Sequence, residues 1–438
     1  MSSLPRKTVV RTARLATLPI GFAGRATAGL GRRLGGTPAD VVAAQLQQAT
    51  AEQLFRVLGE LKGGAMKFGQ ALSIFESALP ENLVAPYRAT LTRLQDSAPP
   101  MSATTVHEVL ARELGPRWRA SFASFDDDPA AAASIGQVHR AGWHDGREVA
   151  VKVQYPGAGD AVTSDLRQIG RAATLFAGWI PGLDVKPLVA ELQARVAEEL
   201  DYDLEADAQT RFAAAFRDDP VIVVPDVVIH TPAVLVTDWL RSDRSLARLI
   251  AEGSQEDRNR YGEMYVRFLF SGPARAGMLH ADPHPGNFRL MPDGRLGVVD
   301  FGAVARLPDG RLPEVIGRLM RSACHGRYDE VIDGLRAEGF IRGGVHVSPD
   351  ELRDYLEPFV EPALADSFKF SREWMRGQFS RINDPRQQTF TTMIKINLPP
   401  EFLLIHRVWL GGIGVLSQLG AEAPFRRILC DSLPGFAD

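Results

Sequence analysis

The sequence predicts an α+β fold of two lobes, in which a small antiparallel sheet with one long helix precedes a mainly helical half. Five short runs of strand character indicate the sheet, at residues 122–125, 136–143, 148–154, 227–229 and 234–239. The Asp145-Gly146 pair between the second and third runs is typical of a two-residue hairpin. Beyond residue 240 helical periodicity prevails, apart from a predicted hairpin of strands 288–291 and 296–299.

One long amphipathic helix is predicted between the third and fourth of these strands. Residues 189–216 contain no Gly or Pro. Apolar residues recur there at every fourth position, at Leu192, Val196, Leu200, Leu204, Ala208 and Phe212. The helix is therefore expected to bury one face and to present acidic residues, including Glu199 and Glu205, on others.

An all-helical extension is predicted ahead of the sheet. Residues 39–74 show helical spacing of apolar residues, interrupted at Gly63-Gly64, and prolines punctuate the chain up to Pro99-Pro100. The first 38 residues carry seven Lys or Arg and no acidic residue, so we expect a mobile basic arm that stays in solvent or docks on an anionic membrane surface. The predicted division is a basic arm at 1–38, a helical extension at 39–104, and lobes at 105–240 and 241–438.

Composition excludes some classes of protein. The formal net charge of −3 gives no reason to expect nucleic acid as a partner. Cys324 and Cys430 are far apart in sequence, which favours a reducing, cytoplasmic location, and both are expected to be buried. His406 and Arg407 split the most apolar segment, so no transmembrane helix is predicted and any membrane contact is expected to be peripheral, on the inner face.

Four chemical motifs follow one another in the order found in protein kinases. They are an Ala-rich turn between strands, Val-Ala-Val-Lys ending at Lys152, a His-x-Asp loop from His280 to Asn287, and Asp300-Phe301-Gly302. In kinases a loop covers the nucleotide phosphates, a strand lysine binds them, and the last two motifs supply the catalytic carboxylate and the Mg²⁺ ligands. Each motif alone is weak, but their order and predicted element types indicate a protein-kinase-like fold.

The kinase pattern assigns a role to each side chain. Lys152 provides cationic charge for the phosphates, and Asn287 with Asp300 provides the oxygen ligands that Mg²⁺ prefers. Asp282 would orient the attacking hydroxyl group, or a water molecule if the reaction is hydrolysis. Glu205 is predicted to form an ion pair with Lys152. His280 and His284 are expected to hold the loop through backbone hydrogen bonds rather than to bind metal.

From about residue 39 to the C-terminus the sequence resembles the UbiB/AarF family of atypical protein-kinase-like proteins. Lys67-Phe68-Gly69-Gln70 matches the family's KxGQ motif, and Glu199-Leu200-Asp201 matches its ExD motif. Residues 131–139 match its Ala-rich loop, and residues 280–287 match its catalytic loop. The resemblance implies an ATP and Mg²⁺ site that supports ubiquinone or other isoprenoid-lipid metabolism.

The resemblance also assigns residues that the kinase pattern does not. It implies that Lys67 lies across the active site as a further catalytic residue where a peptide would otherwise bind. Contacts to the nucleotide site are further expected from Ala131, Ala132, Ala133, Ser134, Gln70 and Glu199. Glu199 and Glu205 would point about 120° apart on one ideal helix, so we assign Glu205 to Lys152 and Glu199 to Lys67. The alternative is that Glu199 is a solvated charge.

Alanines in place of the kinase glycines predict a stiffer loop over the phosphates, unless the alanines instead begin a helix capped by Ser134. No Ala-Pro-Glu anchor follows the short segment 303–313, which disfavours peptide docking. Three functions stay open: an ATP-dependent kinase or ATPase acting near membranes, a nucleotide-gated lipid-binding pseudokinase, and a protein kinase. The apolar segment 398–416 either closes the helical lobe or forms a groove for an isoprenoid tail.

Overall fold

The computed structural model describes residues 100–437, apart from 134, 158, 160–189, 191–193, 195, 196, 199, 243 and 385. The chain divides into two units, Met1–Pro100 with Gly157–Asp165, and Met101–Pro156 with Leu166–Asp438. The second unit holds nearly all the described residues. The predicted basic arm and the predicted helical extension, except for residues 100–104, lie outside them, and the predicted domain boundaries remain predictions.

The first lobe contains a six-stranded antiparallel sheet. The segment of the chain that forms this lobe contains seven strands, which are β1 (Phe122–Phe125), β2 (Ala131–Ala133), β3 (Gly136–Trp143), β4 (Glu148–Gln154), β5 (Ile222–Val223), β6 (Val227–Thr231) and β7 (Val234–Asp238) among the described residues. The strand order is β1-β3-β4-β7-β6, with β2 also pairing with β3, while β5 belongs to another sheet. The predicted meander is confirmed to within one or two residues at each strand end. The alternative in which the alanines begin a helix is wrong, because Ala131–Ala133 form a strand.

Helix α1 (Ala103–Glu113) covers the outer face of this sheet. Ser102 caps its N-terminus by accepting a hydrogen bond from the Thr105 N–H group. Its apolar face packs with alternate residues of β4 and with aromatic residues of β1 and β3 in one core, which includes Val106, Val109, Leu110, Trp118, Phe122, Trp143, Val149, Val151 and Val153. The alternation leaves the opposite face of β4 for the functional side chains.

The long helix predicted at 189–216 is interrupted. Helix α2 spans Tyr202–Ala215, and Asp201 before it has an extended backbone with φ −102° and ψ 98°. The Asp201 carboxylate accepts hydrogen bonds from the N–H groups of Asp203 and Leu204, which is the usual role of an N-cap aspartate. A spacing of four between apolar residues continues through such a break, so the pattern could not reveal it. The angular argument for Glu199 and Glu205 on one helix is therefore wrong.

The second lobe is mainly helical, as predicted. Its helices are α3 (Leu246–Glu252), α4 (Gln255–Ala276), α5 (Glu314–Cys324), α6 (Tyr328–Ala337), α7 (Pro349–Leu364), α8 (Arg372–Asn383), α9 (Gln388–Lys395), α10 (Leu403–Leu419) and α11 (Phe425–Ser432). Side chains of α2, α4, α10 and α11 share one hydrophobic core. The α+β class with two lobes is confirmed.

Short strands connect the helices of this lobe. They are β8 (Arg244–Ser245), β9 (Met278–His280), β10 (Phe288–Leu290), β11 (Leu296–Val298), β12 (Val304–Arg306), β13 (Phe368–Lys369) and β14 (Glu422–Ala423). One sheet has the order β5-β11-β10-β8, and β12 pairs with β9. The predicted hairpin after the catalytic loop is confirmed as β10 and β11. Helix α5 begins at Glu314, so the segment after Asp300-Phe301-Gly302 is short, as predicted.

Two expectations about the second lobe need qualification. The helical stretch Pro400–Leu419 is long and apolar enough to span a membrane by length and composition, although 67% of its most apolar window is buried within the protein. Such burial is typical of a core helix, and α10 contributes to the main core. The prediction that both cysteines are buried is wrong, because Cys430 is exposed and Cys324 is half-buried.

Candidate active site

Lys152 and Glu205 form a buried ion pair beneath the sheet of the first lobe. The Lys152 Nζ atom donates hydrogen bonds to both carboxylate oxygens of Glu205, at 2.7 and 2.9 Å. The side chain of Glu205 is 2% exposed and that of Lys152 is 14% exposed. The ion pair predicted between the strand lysine and the helix glutamate is therefore present.

Lys152 is placed by the alternation of β4. Val149, Val151 and Val153 are fully buried on one face of the strand, which directs Lys152 to the other face. The ring centroid of Tyr202, the first residue of α2, lies 5.2 Å from Nζ and adds a cation–π contact. Because α2 begins at Tyr202, Glu205 stands at the first turn of the helix, next to the strand.

Asp300 completes the cluster around the Lys152 amine. Its Oδ1 atom lies 3.5 Å from Nζ, although the two residues are 148 positions apart in the sequence. Burial by itself lowers the pKa of Lys152, but the carboxylates of Asp300 and Glu205 outweigh this and raise the pKa well above its ordinary value of 10.5. Lys152 is therefore a permanent cation at neutral pH.

The two histidines of the catalytic loop hydrogen-bond to backbone groups. His280 Nε2 donates to the Asp300 carbonyl oxygen at 2.9 Å, which joins this loop to the start of Asp300-Phe301-Gly302. Burial lowers the pKa of His280 and keeps its imidazole neutral. His284 Nδ1 accepts from the Gly286 N–H group at 3.1 Å. The interpretation that these histidines hold the shape of the loop is confirmed.

A hydrogen bond between the side chains of Asp282 and Asn287 joins the two ends of the catalytic loop. Asn287 Nδ2 donates to Asp282 Oδ2 at 2.8 Å across the short 3₁₀ turn Pro285–Asn287. Between them, the Pro283 carbonyl oxygen accepts a hydrogen bond of 2.8 Å from the buried hydroxyl of Tyr265 on α4. The Asp282 side chain remains 24% exposed, so a substrate can reach it.

The hairpin of β10 and β11 brings Asn287 next to Asp300. The Val299 N–H group donates to the Asn287 carbonyl oxygen at 2.9 Å, and Phe288 pairs with Val298. Across residues 100–437 as described, no group of three or more His, Cys, Asp or Glu side chains could hold a metal alone. An ion held by Asp300 and the Asn287 amide oxygen would need further ligands from phosphates and water. An all-oxygen set completed in this way suits Mg²⁺.

The backbone of Asp300 is unusual. Its φ of 66° is the one positive φ among the described residues other than glycine. Aspartate tolerates this left-handed conformation better than most residues, and such conformations cluster at functional sites. Phe301 is fully buried, with its ring 5.0 Å from Phe212 of α2 and 5.1 Å from His280. Burial of Phe301 on the core fixes the turn that directs Asp300 toward Lys152.

Arg407 of α10 is a site residue that the sequence analysis missed. Its guanidinium lies 3.3 Å from Asp282 Oδ1, and its side chain is 14% exposed. One turn later on the helix, a Cβ at Gly411 would collide with Pro283, so glycine allows α10 to lie against the catalytic loop. A charged residue followed four positions later by glycine in an apolar helix was the signal available in the sequence.

Other predicted site residues are placed less completely. Lys67, Gln70, Ser134 and Glu199 lie outside the described residues. The three alanines of 131–133 form β2, which pairs with the N-terminal half of β3 at the edge of the sheet. Their contact with a nucleotide therefore remains a prediction, as do the functional roles of Lys152, Glu205, Asp282, Asn287 and Asp300.

A small sheet with a lysine–glutamate ion pair, above a helical lobe that carries the catalytic loop and metal-ligand loop, defines a protein-kinase-like fold. The family model of the ABC1 atypical kinase-like domain matches residues 93–331, more than half of the chain. The chain therefore belongs to the ABC1 atypical kinase-like family, and the resemblance to UbiB/AarF proteins is confirmed.

Relatives with curated names support this membership. The atypical kinase COQ8, mitochondrial, of Saccharomyces cerevisiae is 31% identical over 86% of this chain and 75% of its own length. The atypical kinase coq-8, mitochondrial, of Caenorhabditis elegans is 30% identical over 78% of this chain. The chain spans 46% of the length of the worm protein and 53% of the chloroplastic ACTIVITY OF BC1 COMPLEX KINASE 3 of Arabidopsis thaliana.

A solved structure gives a similar result. The Rv3197 protein of Mycobacterium tuberculosis, in complex with erythromycin, is 42% identical and superimposes with a TM-score of 0.68. The match covers 92% of this chain and all of that one. The chain is therefore similar to a solved relative over most of its length.

Proposed function

We propose that the protein is an ATP- and Mg²⁺-dependent atypical kinase or ATPase. The observation that carries the proposal is the convergence of three residues distant in sequence, because the buried ion pair of Lys152 and Glu205 meets the partly exposed Asp300. An isolated buried lysine would lose its charge, whereas two carboxylates keep this one protonated. A permanent cation between a sheet and a metal-binding loop is what a triphosphate requires.

Each residue of the site then has a defined task. Lys152 binds phosphate oxygens, and Glu205 fixes the direction of its amine. Asp300 and Asn287 hold Mg²⁺, which supplies charge neutralisation when bound. Asp282 orients the attacking hydroxyl or water, and its own position is set by hydrogen bonds from Asn287 and Arg407.

The acceptor is proposed to be water or a small molecule. The chain after Asp300-Phe301-Gly302 forms the three-residue strand β12 and enters α5 at Glu314, which leaves a short segment for docking a peptide. The family resemblance points to isoprenoid quinone precursors or related lipids at a membrane surface. The relative solved with erythromycin adds a macrolide to the small molecules worth testing as ligands.

A second candidate is a pseudokinase that uses the nucleotide to gate lipid binding. The specific observation that favours it is the Ala131–Ala133 strand at the place where kinases carry flexible glycines. Against it stands the complete set of Asp282, Asn287 and Asp300, in which Asp282 has no task in a protein without turnover. Protein kinase activity is the third candidate.

Phosphate release by the purified full-length protein tests these functions. The assay is run with ATP and Mg²⁺, with and without anionic liposomes, and with Asp300→Asn as the matched control. Release by the wild type that falls to background in Asp300→Asn is the expected result. No release under any condition, with nucleotide binding retained, favours the pseudokinase. Phosphorylation of added protein favours the protein kinase.

A further inference from the structure

A buried chain of hydrogen bonds lies behind the Ala-rich strand, on the face of the sheet that α1 covers. Gln137 and His139 of β3 are 1% and 0% exposed. The Met101 N–H group donates to Gln137 Oε1 at 2.8 Å. The side-chain nitrogen of Gln137 lies 2.8 Å from His139 Nε2, and His139 Nδ1 lies 2.8 Å from the Asp126 carbonyl oxygen.

The direction of every bond in this chain is fixed by its two ends. The Asp126 carbonyl can only accept, so His139 Nδ1 carries the hydrogen. The Met101 N–H can only donate, so the amide oxygen of Gln137 faces it. Gln137 Nε2 must then donate to an unprotonated His139 Nε2. In a protonated His139 the Nε2–H group would face the Gln137 Nε2 donor, and the hydrogen bond between them would be lost.

Gln137 also pairs through its strand with the backbone of residues near the predicted nucleotide site. Gln137 pairs with Ala132 on one side and with Val153, next to Lys152, on the other. A Cβ at Gly136 would collide with the Val153 carbonyl oxygen, so β3 and β4 approach closely there. A shift of Gln137 therefore moves the backbone of the Ala-rich strand.

We propose that Gln137 and His139 are positioning residues that couple Met101 to the Ala131–Ala133 strand. Met101 is the point at which the polypeptide enters the first lobe. While the chain of bonds is complete, the Ala-rich strand is held in one position for the nucleotide. Release of Met101 loosens it. Thermodynamic linkage requires the reverse effect as well, so nucleotide binding tightens the Met101 hydrogen bond. The nucleotide part of this inference rests on the proposed function.

The charges around His139 set the pH range in which the coupling acts. Burial lowers its pKa from the ordinary value of 6.5, and His107 of α1 acts in the same direction. The backbone of Asp126 and the carboxylates of Asp126 and Asp127 oppose this but do not cancel it. The neutral ring, and with it the coupling, is therefore complete at pH 6.5 and above, and it is lost only when the pH falls through the lowered pKa of His139.

Amide hydrogen exchange and ADP binding of the full-length protein test the coupling. Gln137→Met keeps the side-chain length but removes both hydrogen bonds, so we expect about fivefold to tenfold weaker Mg²⁺–ADP binding and faster exchange at Met101 and in Ala131–Ala133. In the wild type, ADP should slow exchange at Met101, and in Gln137→Met it should not. His107→Gln, which removes an exposed 2.6 Å contact between α1 and Asp127, should change neither.

Gln137→Glu separates a positioning role from a merely structural one. Its carboxylate can accept hydrogen bonds from the Met101 N–H group and from a protonated His139. The row of hydrogen bonds is therefore complete when His139 is charged instead of neutral. As the pH is lowered, the ADP affinity of this variant should therefore fall less than that of the wild type, because its hydrogen bonds accommodate a protonated His139.

Unchanged ADP affinity in Gln137→Met, or a Met101 amide that does not respond to ADP in a wild type that binds it, overturns the coupling. A wild type that binds no ADP contradicts the proposed function instead. In that case the exchange rates of Ala131–Ala133 in Gln137→Met still decide the coupling, with unchanged rates overturning it.

Discussion

Glu205→Gln perturbs the centre of the site with little change in shape. The substitution replaces two hydrogen bonds of 2.7 and 2.9 Å between the Lys152 ammonium and a carboxylate by at most one bond from the same ammonium to a neutral amide oxygen. Hydrogen bonds to charged groups contribute about 1.5–3 kcal/mol each, so the loss of one of the two costs about that amount. Asp300 remains 3.5 Å from Lys152, so the cation is not left alone. We therefore expect a loss of about 2–3 kcal/mol of stability rather than the full cost of an unpaired buried charge.

Two assays measure this effect. Urea unfolding gives the free energy of unfolding, and fluorescence titration gives the affinity for Mg²⁺–ADP, which should fall at least about tenfold because Lys152 turns toward Asp300. Asp203→Asn is the matched control, since it removes a 2.8 Å contact to His230 from the same helix at an exposed position. Its effect should stay below about 0.5 kcal/mol. Equal effects of the two substitutions would refute the assigned role of Glu205.

Three further predictions concern α10. Arg407→Met should reduce phosphate release at least about tenfold with ADP affinity unchanged, because Arg407 orients Asp282, and Arg407→Lys should recover part of the rate; weaker ADP binding alone would contradict this. Gly411→Val should cost about 1–3 kcal/mol through its collision with Pro283, whereas Gly414→Ala, which has open space, should not destabilise. Burial lowers the pKa of His406 from 6.5 to about 4, so its contribution to stability is present above pH 6.5 and lost as the pH falls toward 4. Between pH 7 and pH 4.5, the free energy of unfolding measured in urea should therefore fall by roughly 2 kcal/mol less in His406→Phe than in the wild type. An equal fall in both proteins would contradict the assigned pKa of His406.

Much of the first lobe was predictable because its signals are local. Strand runs, the Asp145-Gly146 turn and the alternation in β4 are all read from neighbouring residues. The break at Asp201 was missed because an N-cap can replace one helical residue without changing the apolar spacing around it. The exposure of Cys430 was missed because it depends on which face α11 presents to the rest of the lobe.

The candidate site also contains residues that local sequence motifs identify and residues that only the packing of distant elements brings together. Lys152, Asp282, Asn287 and Asp300 lie in motifs with fixed internal spacing, so the sequence identified them. Arg407 approaches Asp282 across 125 positions of sequence through the packing of α10 on the catalytic loop. The sequence signals such a contact only through a charged residue and a glycine four positions later in an apolar helix, which is not a recognised motif. Tyr265 was missed for the same reason, since its role is a single hydrogen bond from the middle of α4 to the Pro283 carbonyl.

A crystal structure of the full-length protein with Mn²⁺ and ADP tests the central claim most directly, because manganese gives an anomalous signal. The predicted result is one peak about 2.1 Å from oxygens of Asp300 and Asn287, with a phosphate oxygen within hydrogen-bonding distance of Lys152 Nζ. A nucleotide bound elsewhere, or a Lys152 amine that contacts no phosphate, would contradict the assignment of this site.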